Sequence, residues 1–314
     1  MIHVIAPLAE AVLFLLLVGI FFAIIRTGIV GVRIEKTLPA LALSSLFALG
    51  ISLVMTSLLT GAAIAGTTWA LCYMCGGILL AAYVWYARVM TRPIVLALAG
   101  LSTLTDFVFL APIMPLELGG LVNVVTGVSA ISIGILVLCA VLGLPLIIGR
   151  TFCGQLCPVG SLQELAYAVP GTKWVMRRPV LFSRIRLVIF IGTIVAALYF
   201  IDLMAFTGLY DLFSLTVSAL LFVAAGIILV SVFLYRPVCR IICPFGVLFS
   251  LPAKFSWFRF RRTAACINCR KCEKACPAKV AGRSDSKGEC YLCGRCTDTC
   301  PVEGALQYTG PEKP

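Results

Sequence analysis

Near the C-terminus, Cys266, Cys269, Cys272 and Cys276 stand with two, two and three residues between them, and Pro277 follows. Cys290, Cys293, Cys296 and Cys300 repeat the spacing, and Pro301 follows. This pattern fits two cubane iron–sulfur sites. A cubane needs four thiolates converging on its corners, and a tight Cys-x-x-Cys-x-x-Cys loop wraps three of them while donating backbone N–H groups to the cluster sulfurs. The fourth cysteine, held by the turn at the proline, crosses to the other cluster. The spacing therefore assigns Cys266, Cys269, Cys272 and Cys300 to one 4Fe–4S cluster, and Cys276, Cys290, Cys293 and Cys296 to a second. Zinc ribbons pair short Cys-x-x-Cys knuckles instead. With all corners taken by protein thiolates, two adjacent one-electron centres suit electron transfer better than catalysis at iron.

Four more cysteines form an internal repeat. Gly149-Arg150-Thr151-Phe152-Cys153-Gly154-Gln155-Leu156-Cys157-Pro158-Val159-Gly160 returns as Tyr235-Arg236-Pro237-Val238-Cys239-Arg240-Ile241-Ile242-Cys243-Pro244-Phe245-Gly246. Arg, Cys, Cys, Pro and Gly recur at a constant offset of 86 residues. Cysteines at i and i+4 share one helical face, so each copy can present two sulfurs to a common point, and Pro158 and Pro244 mark a change of chain direction. Three readings of Cys153, Cys157, Cys239 and Cys243 stand: a third thiolate-ligated redox or metal centre, thiols cycling through a disulfide, or small buried residues at a helix junction.

The elements that position these cysteines follow from composition. Of 314 residues, 61% are apolar and 12% charged, half the charge of about 25% in ordinary soluble domains. Seven apolar stretches approach the ~20 residues a bilayer-spanning helix needs: 8–25, 38–60, 65–86, 93–114, 121–148, 187–206 and 213–235. Arg26, Arg33 and Lys36 follow the first; Arg88 and Arg92 the third; Arg150, Lys173, Arg177, Arg178, Arg184 and Arg186 the fifth; Arg236, Arg240 and the tail the seventh. With seven spans, all 25 basic residues fall on one side, which the positive-inside rule makes cytoplasmic. The expected protein is multi-pass in the inner (cytoplasmic) membrane, with its N-terminus outside and its C-terminal domain in the cytoplasm. The fold class is an all-α polytopic membrane domain of about seven helices plus a small α+β bacterial-type double-cubane ferredoxin domain. Residues 1–120 form N-terminal helices of unplaced role, 121–253 a core carrying the two Cys-x-x-x-Cys-Pro motifs, and 254–314 the ferredoxin domain. The net charge of +12 then reads as a sorting signal, and no nucleic-acid partner is expected.

A single histidine, His3, excludes multi-haem and His-rich metal chemistry, and there is no Cys-x-x-Cys-His haem motif. Cys72 and Cys75 in the third stretch read as packing residues, a membrane dithiol or an extra metal site, and Cys139 as packing. Asp106 and Asp202 lie in predicted spans, where charge costs at least ~2.5 kcal/mol by insertion scales; they read as proton-route residues or as acids reaching water near a span end. The tail from Lys254 carries twelve basic and six acidic residues, which suits anionic lipid headgroups or an acidic redox partner.

The paired Cys-x-x-x-Cys-Pro motifs, the basic linker and the double-cubane run together resemble the NapH/MauN-type membrane ferredoxins, a group related to the C-terminal part of NosR and to CcoG-like proteins. The resemblance covers roughly residues 120–314. It implies electron transfer between the membrane quinol pool and a partner protein or complex subunit, with quinone as a substrate. The alternatives are a redox assembly or maturation factor for a metalloenzyme, and a redox sensor.

Overall fold

The structure is a computed structural model. It describes residues 2–28, 34–60, 67–109, 143–175, 179–199, 201, 203, 205–214 and 216–310. Four helices open the chain: α1 (Ile2–Thr27), α2 (Thr37–Thr60), α3 (Thr67–Tyr86) and α4 (Arg92–Phe109). They match the first four apolar stretches. After the first motif come α5 (Pro158–Ala168), α6 (Pro179–Leu198), the short α7 (Leu209–Ser214) and α8 (Ala219–Phe233). After the second motif comes α9 (Phe245–Lys254). Most of the 121–148 stretch, with Cys139, lies outside the described residues, as do Asp202 and the side chains of His3, Cys72, Cys75 and Asp106.

The sixth and seventh stretches are cut differently from expectation. The sixth helix starts at Pro179, a residue whose fixed φ and missing N–H suit the first helical turn, and it ends at Leu198 rather than 206. Gly208 then turns the chain with φ +67, and a Cβ there would overlap the Leu220 carbonyl. Only glycine takes both the left-handed backbone and the close approach. The last long helix therefore starts at Ala219, where Ser218 Oγ accepts from the N–H groups of Leu220 and Leu221. Among the described residues one segment, Leu181–Leu198, is both long and apolar enough to cross a membrane.

The tail adds a two-stranded antiparallel sheet, β1 (Arg259–Arg262) on β2 (Leu306–Thr309), with Phe260 opposite Tyr308. Short helices α10 (Lys271–Ala275) and α11 (Arg295–Asp298) follow the Cys269 and Cys293 turns. This small sheet is seated on the helices. The Trp85 ring meets Phe260 edge-on at 5.1 Å, and Tyr308 Oη donates to the Ile148 carbonyl at 2.8 Å. The N–H groups of Trp257 and Phe258 donate to Leu146 and Ile147 at 2.9 and 2.8 Å. The N-terminal helices thus have a place: α3 and α4 wall the motif region, with Ser102 Oγ donating to the Leu156 carbonyl at 2.6 Å.

Candidate redox site

Each cysteine motif is built the same way, and the turn is wider than an α-helix. Phe152–Leu156 and Val238–Ile242 are π-helical. The Cys157 N–H donates to the Phe152 carbonyl at 2.8 Å and Cys243 to Val238 at 2.7 Å, both five residues back. The following prolines explain this. A residue before proline is pushed out of the α region, and Cys157 and Cys243 are extended, with ψ 118 and 117. The chain reaches that kink by widening one turn, a device frequent at functional sites. Pro158 then opens α5 and Pro244 precedes α9.

Both first cysteines have their carbonyl capped in the same manner. Gly160 packs so closely under the Cys153 carbonyl that a Cβ would come to 2.5 Å, and Gly246 does so under Cys239 at 2.7 Å. Arg236 donates to the Cys153 carbonyl, and to Gly154 at 2.9 Å. Arg186 donates to the Cys239 carbonyl at 3.3 Å. Cys153, Cys157 and Cys239 are buried and Cys243 is half-buried. The four thiols are close enough to act on one another electrostatically. The twelve cysteines whose side chains are described are free of disulfides.

The tail cysteines line two separate voids. Cys266, Cys269, Cys272 and Cys300 line one void, while Cys276, Cys290, Cys293 and Cys296 line a cavity of about 910 Å³. The two runs share a backbone device: Asn268 and Leu292, then Arg270 and Gly294, all have positive φ. This left-handed geometry at matching positions lets the loops wrap inward around one point. Among the described residues no three cysteine, histidine or carboxylate groups converge as for a single metal ion. Sulfurs gathered at the edge of a void are the donors a 4Fe–4S cluster takes. When bound, such a group supplies reversible one-electron transfer.

The second run is docked on the first motif. A Cβ at Gly154 would overlap the carbonyl oxygen of Tyr291, and Gln155 Nε2 donates to the Leu292 carbonyl at 3.0 Å. Tyr291 is buried, its hydroxyl donates to Glu289 at 3.0 Å, and Arg150 donates to it at 3.1 Å. Gly154→Ala is therefore expected to push the Cys290–Cys293 loop off the motif and to destabilise by about 1–3 kcal/mol, as overpacking does. Limited proteolysis between residues 254 and 290 checks it; an unchanged cleavage rate would count against the docking contact.

Charge in this region is buried and organised by two carboxylates. Fully buried Glu164 takes Arg236 Nε at 3.0 Å on one oxygen, and Arg92 and Arg295 at 2.7 and 2.8 Å on the other. Burial alone would raise its pKa, but Arg236, Arg295 and Arg92 more than reverse this and hold it at about 2. Glu289 takes Arg150 at 2.9 Å and Arg186 at 2.7 Å. Its pKa is likewise lowered: burial opposes, and the two arginines prevail. Glu164, Glu289, Arg92, Arg295, Tyr291 and Gly154 did not stand out in the sequence. The one available signal was an isolated acid, Glu164, in an apolar segment eleven residues after Cys153.

A sequence model described as a 4Fe–4S binding domain matches residues 131–177 and 216–264. These segments are the two motif copies with the chain leading into them. MauN, the methylamine utilization ferredoxin-type protein of Paracoccus denitrificans, is 31% identical over 145 residues, 41% of this chain and 48% of its own length. The chain belongs to the NapH/MauN-type ferredoxin family. Other family relatives include YccM of Escherichia coli, 28% identical over 222 residues that make up 62% of each chain. An uncharacterized protein of Methanocaldococcus jannaschii is 31% identical over 177 residues, 53% of this chain and 67% of that protein. The chain thus spans somewhat less than two thirds of the length of YccM. No solved structure matches it. As a family member it carries a 4Fe–4S binding domain.

Proposed function

We propose that the chain is a one-electron relay of the inner membrane, passing electrons between quinol or quinone and a redox partner protein. In this reading the helices form about seven spans, the N-terminus is outside and the ferredoxin domain is cytoplasmic, beside lipid headgroups and an acidic partner. One observation carries the proposal: the Cys290–Cys293 loop rests directly on the first cysteine motif at the end of the helices. This contact supports a reading in which iron held by the tail lies against the helices and is not tethered away from them.

The four motif cysteines form a third thiolate-ligated centre in this reading, on a charge argument. Among the described residues Arg150, Arg186, Arg236 and Arg240 are buried around them, against only Glu164 and Glu289. Uncompensated buried cations are costly. Burial pushes the Cys243 thiol up to about 12, so without iron it stays protonated and neutral, and a disulfide is neutral too. Four thiolates on iron supply the missing negative charge.

Anaerobic purification with iron counting and electron paramagnetic resonance (EPR), followed by titration with menaquinol and with reduced soluble ferredoxin, tests the relay. Cluster reduction by either donor is expected. Colourless protein with fewer than about eight irons per chain would sink it.

A further inference from the structure

The two tail cysteine runs share a spacing but differ in electrostatic surroundings. The Cys290–Cys293 loop is enclosed by guanidinium groups. Arg150 and Arg236 lie over the Tyr291 ring, 4.4 and 4.9 Å from its centre. Arg92, from the N-terminal helices, donates to the Cys293 carbonyl at 2.8 Å. Arg295 is two residues beyond Cys293, and Arg186 shares Glu289 with Arg150. Glu164 and Glu289 are the only carboxylates these five arginines pair with in the described residues.

The Cys266–Cys269 run faces water instead. Cys269 is exposed, Ile267 is 64% exposed, and Arg270, Lys271 and Asn268 are exposed around them. Arg270 and Lys271 lie within this run and are exposed, and Arg262, which lines the same void, pairs with Glu273 at 2.5 Å. Charges of this kind are screened by salt within about 10 Å at 0.1 M. At an effective dielectric near 20, buried charges act about four times more strongly than in water.

A reduced cluster carries one more negative charge than an oxidised one. Burial alone opposes that charge, but nearby unscreened cations favour it. A buried anion is already held by three of these arginines: fully buried Glu164 pairs with Arg236, Arg92 and Arg295. We propose that Arg92, together with Arg150 and Arg236, makes the cluster site of Cys276, Cys290, Cys293 and Cys296 the higher-potential one. Arg92 is then a positioning and tuning residue, and tuning this site is a role for the N-terminal helices. The chain accordingly takes single electrons at its water-facing end, from a soluble low-potential one-electron donor that is oxidised by one unit, and passes them inward. No bond forms or breaks.

This rests on the two-cluster reading above, which iron counting checks separately. The test is an EPR-monitored redox titration of the full chain in lipid nanodiscs, for wild type, Arg92→Gln and Arg92→Lys, at low and high salt. Two potentials are expected from the tail clusters, beside that of the motif centre, which Cys153→Ser with Cys239→Ser removes. Arg92→Gln should move only the higher one, to more negative values, and Arg92→Lys should restore it toward wild type. High salt should move only the lower one. If Arg92→Gln left both potentials in place, or shifted the lower one, the proposal would be overturned. Should that variant fail to fold, wild type alone still decides: a higher potential that follows salt overturns it. A chain with fewer than about eight irons fails with the relay itself.

Discussion

Glu164→Gln is expected to lose about 3–5 kcal/mol of stability, the range for breaking a buried ion pair from one side. The reason is asymmetry. Glu164 is fully buried and is the shared partner of Arg236, Arg92 and Arg295. A neutral amide leaves fully buried Arg236 without its counter-charge and brings a donor against two more guanidinium groups. Domains are held by only about 5–15 kcal/mol, so most of the margin goes. At roughly 2–4 °C per kcal/mol, thermal loss of cluster absorbance should come on the order of 10 °C earlier. The pH dependence has a definite sign. The pKa of Glu164 lies below its ordinary 4.5, at about 2, so its contribution is complete above pH 4.5 and is lost as pH falls towards 2. Wild type should therefore lose stability through that acid window, while the variant shows a flatter profile there. A variant within 1 kcal/mol of wild type at neutral pH would show that the arginines find other partners.

The two tail cysteine runs were legible because their spacing is local: two or three intervening residues fix where a sulfur can reach. The duplicated motif was legible for the same reason, down to the paired Arg150 and Arg236 at the 86-residue offset. Its backbone was not. Cysteines four apart read as one α-helical face, whereas the proline after each second cysteine forces a π turn. The arginines were read through their number along the chain, as a topology signal, and that count holds no distance. Arg92, Arg150, Arg186 and Arg236 end up buried or nearly so, on two acids far away in sequence, and only folding reveals the pairing. Arg262 read as part of a basic face for lipid or partner, yet it pairs with Glu273 and donates to the Ala281 carbonyl at 2.9 Å. Helix limits failed at Gly208, where the left-handed turn and the Leu220 contact end one segment and delay the next.

Cys153→Ser with Cys239→Ser is expected to lower iron from about twelve to about eight per chain, with the tail signals retained. The pair is chosen because each is the first cysteine of its copy and each carbonyl is already held by an arginine, Arg236 on Cys153 and Arg186 on Cys239. Serine keeps the size and leaves those backbone contacts alone, so loss of four irons reports ligation and not collapse. The buried cation surplus makes a second readout. If the motif holds a negatively charged centre, its loss exposes the arginines to one another, and thermal stability should fall along with the iron. If the cysteines only pack, serine costs little and both numbers stay. If they cycle through a disulfide, iron is unchanged, but alkylation of oxidised wild type blocks two fewer thiols than of reduced wild type. Iron that stays constant in the double variant would remove the third centre, and the surplus of buried arginine would then need another anion.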